Sequence, residues 1–532
     1  MRSRALTTAV LAGALALMVA YAGLRWGALV AGGSDSYGYV SQAELWRRGN
    51  LVVHQDVVRP TPWPLAADTW TPLGYRPSPH ARDGYVPLYA PGLPLLMAAA
   101  QAIAGFCAAF AVVPLCGALT IWLTFVLGGR MFPGPAIALG GAVLVAVSPV
   151  FLYQLMNAMS DVPVTAFWTL ALVLAVSRRP FASGLAMAMT IAIRPNLAPL
   201  AAVIGVWTWR SGDRDQRRRA IVRFAAGAAP AVVGLAWLHA VLYESPWVSG
   251  YGTTGDLYAL GYFGANVANY MTWLAAVETP IVALAAIYVA TPHVWPALRL
   301  PAARALIGGT MAVMLISYVF YEPFNVWWYL RFLLPMWPVM MLATVAAIDG
   351  VAARASARVR PIVVTTIVAV LAGHHLLLAE ARHVFDLGRM ERKYVDVARF
   401  VAAHTEPDAV VLSHQHSGSL RLYAGRLTLR YDLLDPAWLD RALTLLQSAG
   451  RRPYLALDGD EVAAFRERFL GTSRAAALDW PPIATLNGVV NIYDPLDRIA
   501  TGSPLSIAST RGTRTVFACE TPYSRPPVRL MK

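Results

Sequence analysis

Long apolar runs constrain this chain more than any other feature of its sequence. Stretches near the length of about 20 apolar residues that a helix needs to cross a bilayer recur from residue 5 to residue 379. Only 14% of the 532 residues are charged, whereas a soluble domain carries about 25%. We therefore predict an integral membrane protein, and the composition excludes a soluble globular enzyme.

The apolar runs predict about eleven transmembrane helices. They cover residues 5–28, 112–129, 135–151, 163–177, 181–193, 196–209, 224–242, 273–290, 306–320, 332–349 and 361–379. Another apolar stretch, 93–110, is expected to lie along the membrane surface or to form a bent entry to the second span. The first run follows a basic start that also suits a signal peptide, but its length favours an uncleaved span.

Arginine marks alternate loops, and this predicts the orientation of the helices. Membrane proteins concentrate Lys and Arg in their cytoplasmic loops, which also accounts for the net charge of +14 without a nucleic-acid partner. One set of loops holds Arg2, Arg4, Arg130, Arg178, Arg179, the run 211–223, Arg299, Arg304, Arg354, Arg358 and Arg360. The alternate loops 31–92, 152–162, 243–272 and 321–331 are poorer in Arg and contain no Lys. We expect the N-terminus in the cytoplasm and the C-terminus outside it.

The charged segment after residue 379 is predicted to form a separate soluble domain, so the expected division is 1–379 and 380–532. Strands are predicted at 408–413, 426–432, 453–459 and 488–494, and helices at 436–450 and 460–470. Strands that alternate with helices indicate a small, mostly parallel α/β layer. A glycine-rich phosphate loop is absent from the sequence, so we assign this domain no cofactor.

Cysteine and histidine give little sign of a metal site or a disulfide framework. The cysteines number three, and Cys107 and Cys116 lie in apolar sequence where small core residues are expected. His414 and His416 stand two residues apart at a strand end, with no carboxylate close in sequence. That pattern favours a polar loop over a metal site.

Asp35 is the leading candidate for a catalytic residue. It lies a few residues beyond the first span, at the start of the longest outer loop, 31–92. A carboxylate at the membrane boundary can act as a general base toward an acceptor hydroxyl or amine. The structural alternative is that Asp35 caps the short helix indicated by the spacing of Tyr39, Ala43 and Trp46.

Three more charged residues lie near the predicted ends of helices. Asp161, followed by Pro163, suits a second carboxylate or a helix cap. Arg331 suits a lipid phosphate, although it could instead extend into the headgroup layer beside aromatic residues. Arg194 lies inside an apolar pair of helices, where an unpaired charge costs at least ~2.5 kcal/mol, so it requires a partner.

The order of these motifs resembles the GT-C superfamily of membrane glycosyltransferases, in the bacterial branch related to protein O-mannosyltransferases and lipid A aminoarabinose transferase. The matching segments are DSYGYVSQAELWRRGN, YAPGLPLLMA, NAMSDVPVTAFWTLALVL, AIRPNLAPL and YLRFLLPMWPVM. They extend over about residues 5–345 in matching order. One departure is that Ser36 follows Asp35 where the mannosyltransferase branch often has paired acids.

The resemblance implies a GT-C-like polytopic helical fold with an extracytoplasmic α/β domain, in the bacterial inner membrane. It implies an inverting transfer of a hexosyl or pentosyl group from a polyprenyl-phosphate donor to a glycan, lipid or protein acceptor. Asp35 would be the catalytic base, and Asp161 could supply a second acid. Arg331, Tyr89, Tyr37 and Arg194 would bind the donor. The resemblance assigns no metal ligand and leaves a need for divalent metal open.

The main alternative is a membrane transporter or lipid flippase without catalytic activity. Transporters carry ionisable residues near the middle of the membrane, often between repeated halves. The charged candidates here cluster at the outer ends of helices, and the sequence shows no repeated half. An enzyme acting at the membrane surface is therefore favoured.

Overall fold

The fold is described from a computed structural model of the full chain. The structure describes residues 2–210, 214–295, 298–300, 302–496, 505–507 and 519–523. Parts of the predicted C-terminal domain, and the first residues of the predicted basic run 211–223, lie outside these ranges.

Helices dominate the first 381 residues, and most of them coincide with the predicted apolar runs. They are α1 (Arg2–Trp26), α2 (Asp35–Arg47), α3 (Ala66–Thr69), α4 (Gly92–Ala104), α5 (Val112–Met131), α6 (Pro135–Val147), α7 (Pro149–Leu155), α8 (Asp161–Val176), α9 (Pro180–Ile193), α10 (Leu200–Arg210), α11 (Arg214–Tyr243), α12 (Thr254–Leu257), α13 (Phe263–Val277), α14 (Ala283–Ala290), α15 (Ala303–Val319), α16 (Trp337–Ala352) and α17 (Val359–Ala381). Proline begins α6, α7 and α9, where its missing N–H leaves no helical hydrogen bond unmade.

Length and composition identify fewer membrane crossings than the sequence predicts. Among the described residues, five helices are long and apolar enough to span a membrane, and up to seven if each bent pair counts as one span. Helices α4, α8, α9 and α15 are apolar but shorter. The count of eleven therefore stays a prediction.

Two of the predicted spans are broken, and one buried cluster of polar side chains connects the two breaks. The pair α6 and α7 bends by 60° at Ser148, and the segments on either side of Glu278 and Thr279 bend by 113°. Ser148 Oγ donates a 2.5 Å hydrogen bond to Glu278 Oε1, and the Trp337 indole donates to the same carboxylate at 3.2 Å. His375 lies 3.8 Å from Glu278. These contacts satisfy part of the polar groups exposed at both breaks.

A 3₁₀ helix, Trp327–Met336, leads into α16. The sequence predicted a single span over 332–349, and Trp327–Ala352 is long and apolar enough to be one. Its first part is not α-helical, because Pro335 cannot donate the backbone hydrogen bond that a continuous α-helix needs. The tighter 3₁₀ turn therefore carries Arg331 at the end of the helical bundle.

The first outer loop forms its own small sheet. It contains β1 (Val53–His54), β2 (Tyr75–Pro77) and β3 (Gly84–Pro87), and β3 pairs antiparallel with both of the others. Tyr75 and Tyr85 lie edge to face on this sheet, with ring centroids 5.1 Å apart. The loop is thus an ordered structural element and not an irregular connection between helices.

The C-terminal part combines helices with a sheet. The helices are α18 (Leu387–Glu391), α19 (Lys393–His404), α20 (Ser417–Ser419), α21 (Leu439–Ser448) and α22 (Gly459–Phe469), and the strands are β4 (Val410–Leu412), β5 (Leu427–Leu429), β6 (Pro453–Asp458), β7 (Ala484–Leu486), β8 (Val490–Tyr493) and β9 (Leu505–Ile507). The strand order is β5-β4-β6-β8-β7-β9. Strand β4 runs parallel to β5 and β6, but β8 is antiparallel to its neighbours. The layer is therefore mixed rather than mostly parallel at this point in the sheet.

The first outer loop and the C-terminal part share a hydrophobic core. Trp63 and Trp70 of the loop are buried in the same cluster as residues of β4, β5 and β6. Arg421 of the C-terminal part donates to the carbonyl of Trp70 at 2.6 Å and to Gln55 at 3.0 Å. The two segments therefore lie on the same side of the helical bundle.

A disulfide joins Cys107, just after α4, to Cys519 near the C-terminus. The expectation that Cys107 acts as a small core residue is wrong, because Cys107 is disulfide-bonded. An odd number of cysteines excludes complete pairing but not one bond, and the sequence separation of 412 residues hid it. Cys116 is buried and free.

Candidate functional site

Asp35 is the first residue of α2, and its carboxylate makes two long-range contacts. The Tyr89 hydroxyl donates to Oδ1 at 2.6 Å, and Arg331 Nη1 lies 3.2 Å from Oδ2. Ser34, not Asp35, occupies the N-cap position, and Asp35 makes no capping bond. The helix-cap interpretation of Asp35 therefore does not account for its side chain.

A second carboxylate extends the chain of charges. Asp161 Oδ1 accepts a 2.6 Å hydrogen bond from Arg194 Nη2, which also donates to Ser160 Oγ at 3.1 Å. Arg331 Nη1 lies 3.9 Å from Asp161 Oδ2. Arg331 thus stands between Asp35 and Asp161, and Arg194 has the carboxylate partner that its position requires.

Exposure separates the two carboxylates. The Asp35 side chain is 32% exposed, whereas the Asp161 side chain is 1% exposed. A reactant can therefore reach Asp35, while Asp161 is enclosed and contacts Arg194 and Arg331.

The cluster contains hydrogen-bond donors that have no partner among the described residues. Arg331 Nε and Arg194 Nη1 are buried and have no hydrogen-bond partner there. Native structures rarely leave buried donors unpaired, and a bound group is one of the usual reasons. Both donors belong to guanidinium groups, whose planar fork matches phosphate oxygens.

Aromatic rings surround Arg331. The guanidinium lies 5.2 Å from the ring centroids of both Tyr329 and Phe332. The rings of Tyr153 and Trp328 stack with centroids 5.7 Å apart. An apolar wall next to a cationic group suits a ligand that has a lipid portion and an anionic head.

Tyr89 and Tyr37 occupy different places. Tyr89 is buried between Asp35 and Tyr39, whose ring centroid lies 4.5 Å away. Burial and the charge of Asp35 raise the pKa of Tyr89, so it stays a hydrogen-bond donor. Tyr37 points instead into a separate cluster with Tyr75 and Tyr85, and the structure does not bring it to the predicted donor-binding group.

The segment that follows α17 contains a further acid with a shifted pKa. Glu391 ends α18, and burial raises its pKa to about 7, although the Lys393 ammonium acts in the opposite direction. Glu391 carried no sequence signal, because it lies in an ordinary charged stretch.

His414 and His416 contact two different carboxylates, neither of which is Asp35 or Asp161. His414 Nδ1 is 3.1 Å from Asp432, and His416 Nε2 is 3.1 Å from Asp458. Asp432 and Asp458 are distant in sequence, so the sequence could not show these contacts. Within the part of the chain that the structure describes, no three His, Cys, Asp or Glu side chains converge on a candidate metal position.

Comparisons with known proteins identify the fold that holds these residues. No protein-family model and no curated protein matches the sequence. Solved structures do match. The oligosaccharyltransferase of Archaeoglobus fulgidus, tethered with an acceptor peptide, superimposes with a TM-score of 0.56 and 13% identity, over 88% of this chain and 72% of that chain. ArnT from Cupriavidus metallidurans, bound to undecaprenyl phosphate, superimposes with a TM-score of 0.53 and 14% identity, over 86% and 94%.

These structural neighbours are GT-C glycosyltransferases. The chain has the GT-C fold. At such low identity the similarity establishes the fold alone, and the fold is the part of the sequence-based expectation that it confirms. In this GT-C fold, one residue from each of the five sequence motifs contributes to a single connected group. The group consists of Asp35, Tyr89, Asp161, Arg194 and Arg331.

Several members of the group had no recognisable sequence signal. Ser34 Oγ lies 2.8 Å from the Tyr89 hydroxyl, and Ser160 accepts from Arg194. Tyr39 follows Asp35 by one helical turn, so its position on the same face was the one available signal. The serines gave none, since each precedes a helix where a capping role is expected.

Proposed function

We propose that this protein is an inverting glycosyltransferase. It transfers a hexosyl or pentosyl group from a polyprenyl-phosphate donor to a glycan, lipid or protein acceptor at the outer face of a membrane. The observation that carries the proposal is the cluster in which Asp35, partly exposed, contacts an Arg331 that retains an unpartnered buried donor. The GT-C neighbours support it, one of them bound to undecaprenyl phosphate.

In this proposal the side chains have distinct tasks. The acceptor oxygen attacks the anomeric carbon as Asp35 takes its proton, and the bond from that carbon to the phosphate oxygen breaks. Arg331 and Arg194 stabilise the negative charge that develops on the leaving lipid phosphate. Tyr89 holds Asp35 by its hydrogen bond, and Asp161 positions both arginines. Tyr37 lies outside this group and is assigned no direct contact with the donor.

The proposed location is the bacterial inner membrane, with the N-terminus in the cytoplasm and the division between membrane and soluble domains near residue 379. The shared core of the first outer loop and the C-terminal part supports placing both on one side. The Cys107–Cys519 disulfide supports placing that side in an oxidising compartment.

The deciding experiment measures sugar transfer by purified protein with Asp35→Asn. We expect transfer from a polyprenyl-phosphate sugar to fall by at least about 10²-fold, since a positioned general base contributes about 10²–10⁴-fold. Asp56→Asn, an exposed acid in the same outer loop, is the matched control and should keep full activity. Arg331→Ala should weaken apparent donor affinity. Full transfer by the Asp35 variant would reject the proposal.

A transporter or flippase is the second candidate, and one observation favours it. Glu278 and His375 are buried together in the helical bundle, and ionisable groups inside a membrane protein often mark a transport pathway. Glu278→Gln should leave sugar transfer intact if the protein is the proposed transferase. Lipid or sugar movement that depends on Glu278 and not on Asp35 would favour transport.

A further inference from the structure

A cavity of about 630 Å³ lies in the C-terminal part, and Asp35 and its contacts are not among the residues that line it. Its walls come from the residues that follow three strands: His414 after β4, Tyr431 and Asp432 after β5, and Asp460 after β6. Its volume falls in the range of about 300–1,000 Å³ that small-molecule sites occupy.

The cavity stands where the strand order reverses. The chain passes from β4 to β5 on one side and then to β6 on the other, and both run parallel to β4. Helices that follow neighbouring parallel strands leave a crevice at such a reversal, outside the carboxyl ends of the strands. Open α/β sheets bind their ligands in that crevice.

The carboxylates around the cavity differ in how fully they are satisfied. Asp432 is held by Arg430 and His414, and Glu461 accepts two backbone N–H groups at 2.9 Å each. Asp460 and Glu467 are exposed and make no hydrogen bond or ion pair with the described residues. Two carboxylates are therefore available to a ligand.

Tyr431 provides a second, independent observation. Its side chain is buried, with only 3% of the residue exposed, and it lines the cavity. Its hydroxyl makes no hydrogen bond with the described residues and retains solvent access at the cavity, so a ligand there can reach it. Burial and the nearby Glu461 and Asp432 raise its pKa, so the hydroxyl stays protonated and can donate as well as accept.

We propose that this cavity binds a saccharide that carries free hydroxyl or amino groups and no acidic group. Ionised carboxylates only accept hydrogen bonds, so the ligand must supply donors. The surplus of carboxylates would repel an anionic sugar, and the volume exceeds what a single ion needs. A sugar ring carries hydrogen-bond donors on several sides. Asp460, Glu467 and Tyr431 line the same cavity, so they can accept hydrogen bonds from different sides of one ring.

This binding site shares no lining residue with the group around Asp35. Its use in holding a glycan acceptor rests on the proposed transferase function, but saccharide binding itself does not. The two ideas can therefore fail independently, and the measurement is designed to show which one fails.

The test is saccharide binding by the intact protein in detergent, measured by calorimetry. The probes are maltotriose, a glucosamine trimer and, as the anionic control, a galacturonic acid trimer. We expect one of the first two to bind and the third not to bind. The double variant Asp460→Asn with Glu467→Gln should weaken binding about tenfold or more, since hydrogen bonds to charged groups are the stronger ones.

Matched variants complete the test. Tyr431→Phe removes only the hydroxyl and should also weaken binding, whereas Asp479→Asn, an exposed acid that does not line the cavity, should not. Asp35→Asn should bind saccharide normally while losing transfer. Unchanged binding in the double variant, or equal binding of the galacturonic acid trimer, would overturn the cavity assignment. Full transfer by the Asp35 variant would overturn the transferase proposal alone.

Discussion

Asp35 and Asp161 are chemically identical, and their surroundings give them different roles. Asp35 is partly exposed and accepts a hydrogen bond from Tyr89, whereas Asp161 is enclosed and binds Arg194. Removing one partner of a buried ion pair leaves the other charge uncompensated, at a cost of roughly 3–5 kcal/mol. Asp161 therefore stabilises the cluster more than Asp35 does, whereas Asp35 is the one that a reactant can reach.

Replacing Asp161 tests this difference. We expect Asp161→Asn to lower thermal stability clearly more than Asp35→Asn, because Arg194 would keep a hydrogen bond but lose a buried countercharge. The measurement is the unfolding temperature of each variant in detergent. Equal stability of the two variants would contradict the assignment of Asp161 as the enclosed partner.

Glu391 predicts a pH dependence of stability. Burial raises its pKa to about 7, so the folded protein binds this proton more tightly than the unfolded chain. The resulting stability is fully present below the ordinary glutamate pKa and is lost as the pH rises through about 7. Glu391→Gln should remove that part of the decline between pH 5 and pH 8, measured by thermal unfolding. Glu467→Gln, an exposed acid, should leave the decline unchanged.

The sequence identified individual charges better than their partners. Asp35, Asp161, Arg194 and Arg331 could be selected because an ionisable group near the membrane is costly and needs a reason to be there. The resemblance led us to expect Tyr37 among the donor-binding residues, but residues two apart on a helix do not share a face, and the Tyr37 ring packs in the Tyr75 cluster. Partners far apart in the chain leave no local pattern.

At the scale of the elements, α9 and α11 pack through glycine. A Cβ added at Gly184 would overlap the backbone of Phe224, and one added at Gly227 would overlap the backbone of Phe181. Small residues at such contacts let helix backbones approach closely, and packing rather than a hydrophobic driving force holds helices together in a bilayer. The two glycines therefore fix the distance between these helices.

Gly227→Ala should destabilise the bundle, because the obstructing atoms belong to backbone and cannot move aside. Gly234→Ala lies on the same helix where an added Cβ meets nothing within 4 Å, and it should be neutral or slightly stabilising, since alanine favours helix over glycine. Unfolding temperatures in detergent compare the two. A similar effect of both substitutions would contradict the packing contact.

Helices were predictable in position but not in continuity. The apolar runs located α5, α8 and α17 closely, because twenty apolar residues have few alternatives in a membrane. The bend at Glu278 was missed, because an acid close to a proline does not indicate how sharply the helix axis turns. The small sheet of the first outer loop was missed as well, because its strands have only two to four residues.

On the scale of the whole molecule, the disulfide connects the helical bundle to the end of the chain. Cys107 and Cys519 are bonded and Cys116 is free. We expect one reactive thiol equivalent in the denatured, non-reduced protein and three after reduction. Cys519→Ser should lower the unfolding temperature and free Cys107 as a second thiol, whereas Cys116→Ser should leave no free thiol in the non-reduced protein. Three thiols in protein purified under oxidising conditions would contradict the bond.

The division into a membrane part and a soluble part was visible in the composition, but their connection was not. Hydropathy reports each segment separately, so it shows where apolar runs end and not which loop packs against which sheet. The burial of Trp63 and Trp70 with strands more than three hundred residues away depends on tertiary contacts alone.

That shared core has a consequence for how the protein is made. Trp70 leaves the ribosome long before β4 exists, since 410 − 70 gives 340 residues between them. At about 5–20 residues per second, the interval is on the order of 20–70 seconds. During this time the loop has no partner for its tryptophans, so early translation products should be the ones that chaperones and proteases on that side of the membrane encounter.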